Sequence, residues 1–150
     1  MHHTAGGAEP ARRYRRSQAR GGKVQAIHRT AAFLAPLRAK VAAWIELAPD
    51  ALGQALVTEY RPGTPLGWHR DAPDFGRVAG VSLGGWARMR LRTYSRNEPL
   101  GDDKPISLDL PPRSAYQMNG PARWRWQHAI PATKELRYSI TFRTLRAATE

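Results

Sequence analysis

Cysteine is absent from the 150 residues. That excludes disulfides, thiolate metal sites and a cysteine nucleophile, and leaves His, Asp and Glu as the side chains able to hold a metal. Ions that accept nitrogen and oxygen donors suit such a set. Long apolar runs are also missing. None approaches the ~20 residues of a membrane-spanning helix, and the first residues lack the apolar core of a secretion signal. The expectation is a cytoplasmic protein with no membrane partner and no evident obligate protein partner. Acid is scarce: 12 Asp and Glu face 24 Lys and Arg, for a formal net charge of +12. Half of that excess lies in residues 1–29, which hold seven basic residues and one acid. A surplus of this size favours polyanions such as nucleic acid through counterion release; a solvated basic surface explains it equally well.

What is present is globular. Hydrophobic residues make up 41% and charged residues 24%, and a chain of this length supports one domain with one core. Residues 1–24, rich in Arg and Gly, lack hydrophobic periodicity and read as a flexible arm, with the domain placed at 33–146, the arm at 1–32 and a tail at 147–150. From Pro36, the apolar positions Leu37, Val41, Trp44 and Ile45 recur at helical spacing and predict one amphipathic helix over roughly 36–47. After Asp50 the texture changes to short strand-like runs broken by Gly and Pro. Strands are expected near 55–60, 66–71, 79–84, 87–93, 105–110, 114–118, 126–130 and 137–143. One helix followed by eight short strands predicts a mainly β protein, a double-sheet jelly roll with the helix packed outside it.

Two stretches carry chemistry. In Trp68-His69-Arg70-Asp71, the histidine and the aspartate are two apart, so on a strand both leave the same face, as two ligands of one ion would. Two histidines and a carboxylate on one octahedral face leave open positions opposite, the arrangement of non-haem iron oxygenases. His2 and His3 sit in the arm and His28 at its edge, so His128 is the best third ligand. Taken alone, His-x-Asp is a common pair, and a strand histidine is usually packed rather than ligating. The second stretch is Arg137-Tyr138-Ser139-Ile140-Thr141-Phe142-Arg143. Arg137, Ser139, Thr141 and Arg143 share one face, and Tyr138, Ile140 and Phe142 the other. An amphipathic edge strand with arginine in solvent would show this pattern; so would a dicarboxylate site, because guanidinium forks pair bidentately with carboxylate.

Together, His69-x-Asp71, the later His128 and the Arg137–Arg143 strand resemble the AlkB family of iron(II)/2-oxoglutarate-dependent dioxygenases, whose members carry His-x-Asp, a later His and a terminal Arg-x-x-x-x-x-Arg strand. Segments 80–84, 119–123 and 128–131 are also similar, and the resemblance covers about residues 33–146. It implies a double-stranded β-helix, Fe(II) bound by His69, Asp71 and His128, and 2-oxoglutarate as cosubstrate. Arg137 would pair with the far carboxylate, aided by Ser139 and the Tyr60 hydroxyl, and Arg143 would lie near the metal-bound end. The sequence departs from the repair members in having Thr58 in place of an asparagine, Pro73 in place of an acidic residue, and residues 1–32 unlike their N-terminal lid. The activity implied is oxidative demethylation of alkylated nucleic acid, with single strands as the partner. Hydroxylation of a protein or small molecule, and a truncated, non-catalytic nucleic-acid-binding module, stand as alternatives. Trp124 and Trp126, interleaved with Arg123 and Arg125, could clamp a single strand or simply pack in the core. Arg88, Arg90 and Arg92 could track phosphates or form a solvated face.

Overall fold

Pro36 sits in the first turn of helix α1 (Ala35–Trp44), where its missing N–H is one the helix would leave unpaired anyway. The helix stops short of residue 47 because Glu46 adopts a positive φ of 58°. The Leu47 N–H then turns back to the Ala42 carbonyl at 2.9 Å and closes the end. The computed structural model describes residues 23–28, 32–94 and 104–146. Among them no helix is long and apolar enough to cross a membrane.

After α1 come β2 (Gln54–Tyr60), β3 (Leu66–His69), β4 (Phe75–Gly84), β5 (Ala87–Thr93), β6 (Ile106–Leu110), β7 (Ser114–Met118), the five-residue helix α2 (Gly120–Trp124), β8 (Trp126–Ile130) and β9 (Arg137–Leu145). Strand β1 (Lys23–His28) precedes them all. All pairings are antiparallel, in a five-stranded sheet of order β1-β2-β9-β4-β7 and a four-stranded sheet of order β3-β8-β5-β6. This is the expected jelly roll, with the helix on its outer side.

The structure departs from the sequence reading at one point and narrows it at two others. β1 falls inside the stretch read as an arm: it pairs with β2 from Lys23↔Glu59 to His28↔Gln54, covering what would otherwise be an open edge. The Arg- and Gly-rich composition ends at Gly22, and a strand-forming run, Lys23 to Ile27, follows it. The rest of the arm (1–22 and 29–31) and the tail (147–150) lie outside the described residues. Second, β9 is no edge strand: it is the middle of the larger sheet, between β2 and β4. Third, residues 120–124 form α2, so Arg123, Trp124, Arg125 and Trp126 do not alternate along one strand.

The large apolar core lies outside the five-stranded sheet. Leu34, Val41, Ala42 and Ile45 from the helical segment pack on Ala55, Ala79, Val81, Ile140 and Phe142. A smaller cluster, Ala87, Met89, Leu110 and Ile130 with Leu66, Leu91 and Tyr116, closes one end of the space between the sheets. Alternation then requires the remaining side chains of β2, β9, β4 and β7 to project into that space.

Candidate active site

Register brings the inward-facing residues together. On β9, Arg137, Ser139 and Arg143 lie opposite Tyr60, Thr58 and Gln54 of β2. On the other flank, Ser139 and Thr141 lie opposite Ser82 and Gly80 of β4, and Gly80 lies opposite Tyr116 of β7. In the smaller sheet, His69 of β3 is opposite His128 of β8, and their rings are 4.1 Å apart. β3 ends at His69, so Asp71 is held by the loop that follows rather than by the strand.

Among the described residues, His69, Asp71 and His128 offer ligand atoms that all lie within 4.8 Å of one another. The Nε2 atoms of both histidines stand 3.7 Å from Asp71 Oδ1, too far for a hydrogen bond. The three side chains would together hold one divalent ion that accepts nitrogen and oxygen donors. His69 Nδ1 lies 2.8 Å from the Gly67 carbonyl, which can only accept, so Nδ1 carries the proton and Nε2 presents its lone pair to the site. Burial, then the neighbouring His69, pushes the His128 pKa down to about 4, which keeps that ring neutral as a ligand must be. Burial alone would raise the Asp71 carboxyl; the charge of Arg143 and its hydrogen bond outweigh it and hold the group below its ordinary value.

Arg143 donates from Nε to Asp71 Oδ2 at 2.9 Å and from a terminal nitrogen to Gln54 Oε1 at 3.0 Å. It therefore orients the carboxylate of Asp71 itself, leaving Oδ1 toward the histidines. Asp71 has a second support that the sequence did not reveal. Arg123, buried in α2, donates to the carbonyls of Ala72, Phe75 and Gly76 at 2.6, 2.8 and 2.8 Å, tying down the loop that carries the aspartate. A cavity of about 410 Å³ opens beside it, lined by Arg70, Asp71, Ala72, Pro73, Arg123 and Trp124.

Arg137 is 0% exposed, and its Nε donates to the Ser82 hydroxyl at 2.9 Å. Ser82 is thus the hydroxyl that holds the guanidinium, while Ser139 is buried alongside and lies 3.5 Å from the Thr141 hydroxyl. The two terminal nitrogens of Arg137 have no hydrogen-bond partner among the described residues. The Arg137 guanidinium lies 5.1 Å from the Tyr60 ring centroid. A buried cation with its fork unpaired costs several kcal/mol, and a carboxylate of matching geometry offsets that cost. The residues present therefore fit both a metal and a carboxylate-bearing cosubstrate.

Tyr60 and Tyr116 line the space between. Burial raises both hydroxyl pKa values, that of Tyr116 to about 12, against the opposing charge of Arg137, so both stay protonated donors. Tyr116 and Gln54 were not singled out by sequence; Ser82 stood there only inside the similar segment 80–84, and Arg123 only as a neighbour of Trp124, with no role at the metal site. Tyr116 had one signal, an aromatic directly across from a glycine, but that signal exists only once the register of β4 and β7 is known.

A model of the 2OG-Fe(II) oxygenase superfamily matches residues 2–143. The chain is 36% identical over 114 residues to the uncharacterized protein L905 of Acanthamoeba polyphaga mimivirus, covering 67% of this chain and 50% of that protein. It is 35% identical over 96 residues to the alkylated DNA repair protein ALKBH8 homolog of Arabidopsis thaliana, covering 55% of this chain and 28% of the plant protein. The chain thus spans half the length or less of these relatives. The fold superposes on the structure of OsALKBH1 with a TM-score of 0.67 at 16% identity, covering 90% of this chain and 84% of that one. It also superposes on oxalate oxidase in complex with the substrate analogue glycolate, with a TM-score of 0.52 at 14% identity, covering 89% and 55%. The chain belongs to the 2OG-Fe(II) oxygenase superfamily.

Proposed function

We propose that this chain is an iron(II)/2-oxoglutarate-dependent dioxygenase that oxidatively demethylates alkylated bases in single-stranded nucleic acid. The observation that carries the oxygenase reading is the unpaired fork of Arg137, buried in the same inter-sheet space as His69, Asp71 and His128. His69, Asp71 and His128 would hold iron(II), and Arg137 the far carboxylate of 2-oxoglutarate. When bound, the metal and cosubstrate supply dioxygen-dependent oxidation of a substrate C–H bond; on an N-methyl group, the hydroxylated product collapses to formaldehyde and the free base nitrogen.

The chain's own residues prepare for that chemistry. Arg143 fixes which oxygen of Asp71 faces the histidines, and Gly67 fixes the His69 tautomer. Ser82 and the Tyr60 ring fix the fork of Arg137, while Tyr60 and Tyr116 fill the space around it and keep water out. The nucleic-acid half of the reading is supported by the net charge of +12 and by the sequence similarity to a plant alkylated DNA repair protein homolog.

The test is succinate formation by the full chain with iron(II), 2-oxoglutarate and ascorbate, with and without methylated single-stranded DNA, for wild type, His69→Ala and Arg137→Ala. Turnover stimulated by the methylated strand and lost in both variants is expected. Turnover without such stimulation would redirect the substrate to a protein or small molecule, and no turnover in folded, iron-loaded wild type would overturn the oxygenase reading.

A further inference from the structure

The outer face of the four-stranded sheet, turned away from the metal ligands, carries an unusual surface. β5 alternates Met89 and Leu91 inward with Arg88, Arg90 and Arg92 outward, and β3 turns His69 inward and Trp68 outward. The four strands of this sheet contain one acid, Asp109, already engaged by Arg88 at 2.7 Å. The next arginines are not extended into solvent. The guanidinium of Arg92 lies 4.2 Å from the Trp68 ring centroid and that of Arg90 5.7 Å from the same ring. Gln127 of β8 accepts from Arg92 at 2.8 and 3.0 Å. Past the end of β3, Arg70 lies 4.5 Å from the Tyr94 ring centroid and donates to the Trp124 carbonyl at 3.1 Å. Arg70 and Trp124 are also walls of the cavity that opens beside Asp71.

A guanidinium that stacks on an aromatic ring uses its face and keeps in-plane N–H donors for an anion, and a ring-propped arginine has less rotamer freedom left to lose on binding. The Cα atoms of Arg90 and Arg92, two residues apart on one strand face, are separated by roughly 6.8 Å, on the order of one nucleotide step of an extended single strand. The line they begin continues over Arg70 to Trp124, which is 39% exposed at the cavity mouth and itself carries the guanidinium groups of Arg123 at 4.3 Å and Arg146 at 5.1 Å from its ring centroid.

We propose that Arg90, Arg92 and Arg70, propped by Trp68 and Tyr94, form a phosphate-tracking surface that leads a single-stranded polynucleotide along the outside of the smaller sheet to the cavity at Asp71. Charge complementarity names the occupant: a run of unopposed guanidinium groups on a basic chain, with aromatic rings interleaved, suits a flexible polyanion with stackable bases. The proposal rests on the nucleic-acid reading above but specifies a surface that does not include the metal ligands.

The test is fluorescence anisotropy of the full chain with an unmethylated, labelled single strand of about fifteen nucleotides, titrated at several salt concentrations. Because it needs neither iron nor turnover, it is readable even if demethylation fails. The double variant Arg90→Gln/Arg92→Gln is expected to bind about tenfold or more weakly at moderate salt, with a log–log salt slope shallower by roughly 1.4, about 0.7 for each lost phosphate contact. Arg113→Gln, at the β6–β7 turn beyond the opposite end of the sheet, should bind as wild type does. Equal binding by the double variant, equal weakening by Arg113→Gln, or tighter binding of a duplex of the same length would each overturn the proposal. Thermal melting confirms the fold, and single Arg90→Gln replaces the double variant if that fails to fold.

Discussion

Strands β2, β9 and β4 present two faces that differ in nearly every physical respect. Outward, Ala55, Ala79, Val81, Ile140 and Phe142 meet α1 in an apolar layer. Inward, one residue along in each strand, stand Gln54, Thr58, Tyr60, Ser82, Arg137 and Arg143. An ordinary sandwich places its core between its sheets. Here the larger core has moved to the helix side, and the space between the sheets holds buried polar groups with unspent hydrogen-bonding capacity. Stability and chemistry are separated by the two-residue period of a strand, so substitutions at adjacent positions should have unlike effects.

The largest stability effect belongs to the outer face. Phe142→Ala deletes a fully buried ring from the helix–sheet layer and should cost about 3–5 kcal/mol in urea unfolding. Its affinity for 2-oxoglutarate, measured on the folded fraction, should stay near that of wild type. A marked loss of affinity there would break the division between the faces.

A residue of the same strand on the inner face should behave in the opposite way. Arg137→Met removes the fork that a carboxylate would pair with, and 2-oxoglutarate affinity by calorimetry should fall by roughly 10²–10³, the equivalent of about 3–4 kcal/mol. The ligand-free variant should nevertheless melt at or above the wild-type temperature, because it no longer buries two unpaired guanidinium nitrogens. A variant that melts well below wild type would mean that Arg137 is a structural strut.

Smaller again is the effect of a residue outside both faces. Arg123→Met frees the three carbonyls that restrain the loop of Asp71. Supports of this kind are worth about 10- to 100-fold in metal affinity, so cobalt(II) titration should show a loss in that range with little change in the circular dichroism spectrum. Unchanged affinity would show that Arg143 alone suffices to place the carboxylate.

The limits of reading the site from sequence follow from the same geometry. The alternation of β9 and the His-x-Asp spacing are local and visible in the bare chain, and with the family resemblance they nominate Arg137, Arg143, His69 and Asp71. Ser82 and Gln54 come from strands whose contribution depends on register, which no local pattern sets. Arg123 was hidden by its setting: in Arg123-Trp124-Arg125-Trp126 the eye sees a basic aromatic repeat, while a five-residue helix is too short to show a period. β1 was hidden by its neighbours, since six strand residues directly follow an Arg- and Gly-rich stretch.

The finest test concerns one contact across the inner face. A Cβ on Gly80 would overlap the ring of Tyr116 directly opposite, so the glycine is what lets a tyrosine occupy this part of the inner face. Gly80→Ala gains about 0.4–1 kcal/mol by restricting the unfolded chain, but the overlap should cost about 1–3 kcal/mol, for a net loss. In a Tyr116→Val background the overlap disappears, and the same Gly80→Ala change should become neutral or stabilising. A double-mutant cycle by urea unfolding should therefore give a coupling of roughly 1–3 kcal/mol. Coupling near zero would mean that the ring moves aside freely, and that the inner face is as loosely filled at Tyr116 as its unpaired cation at Arg137 suggests.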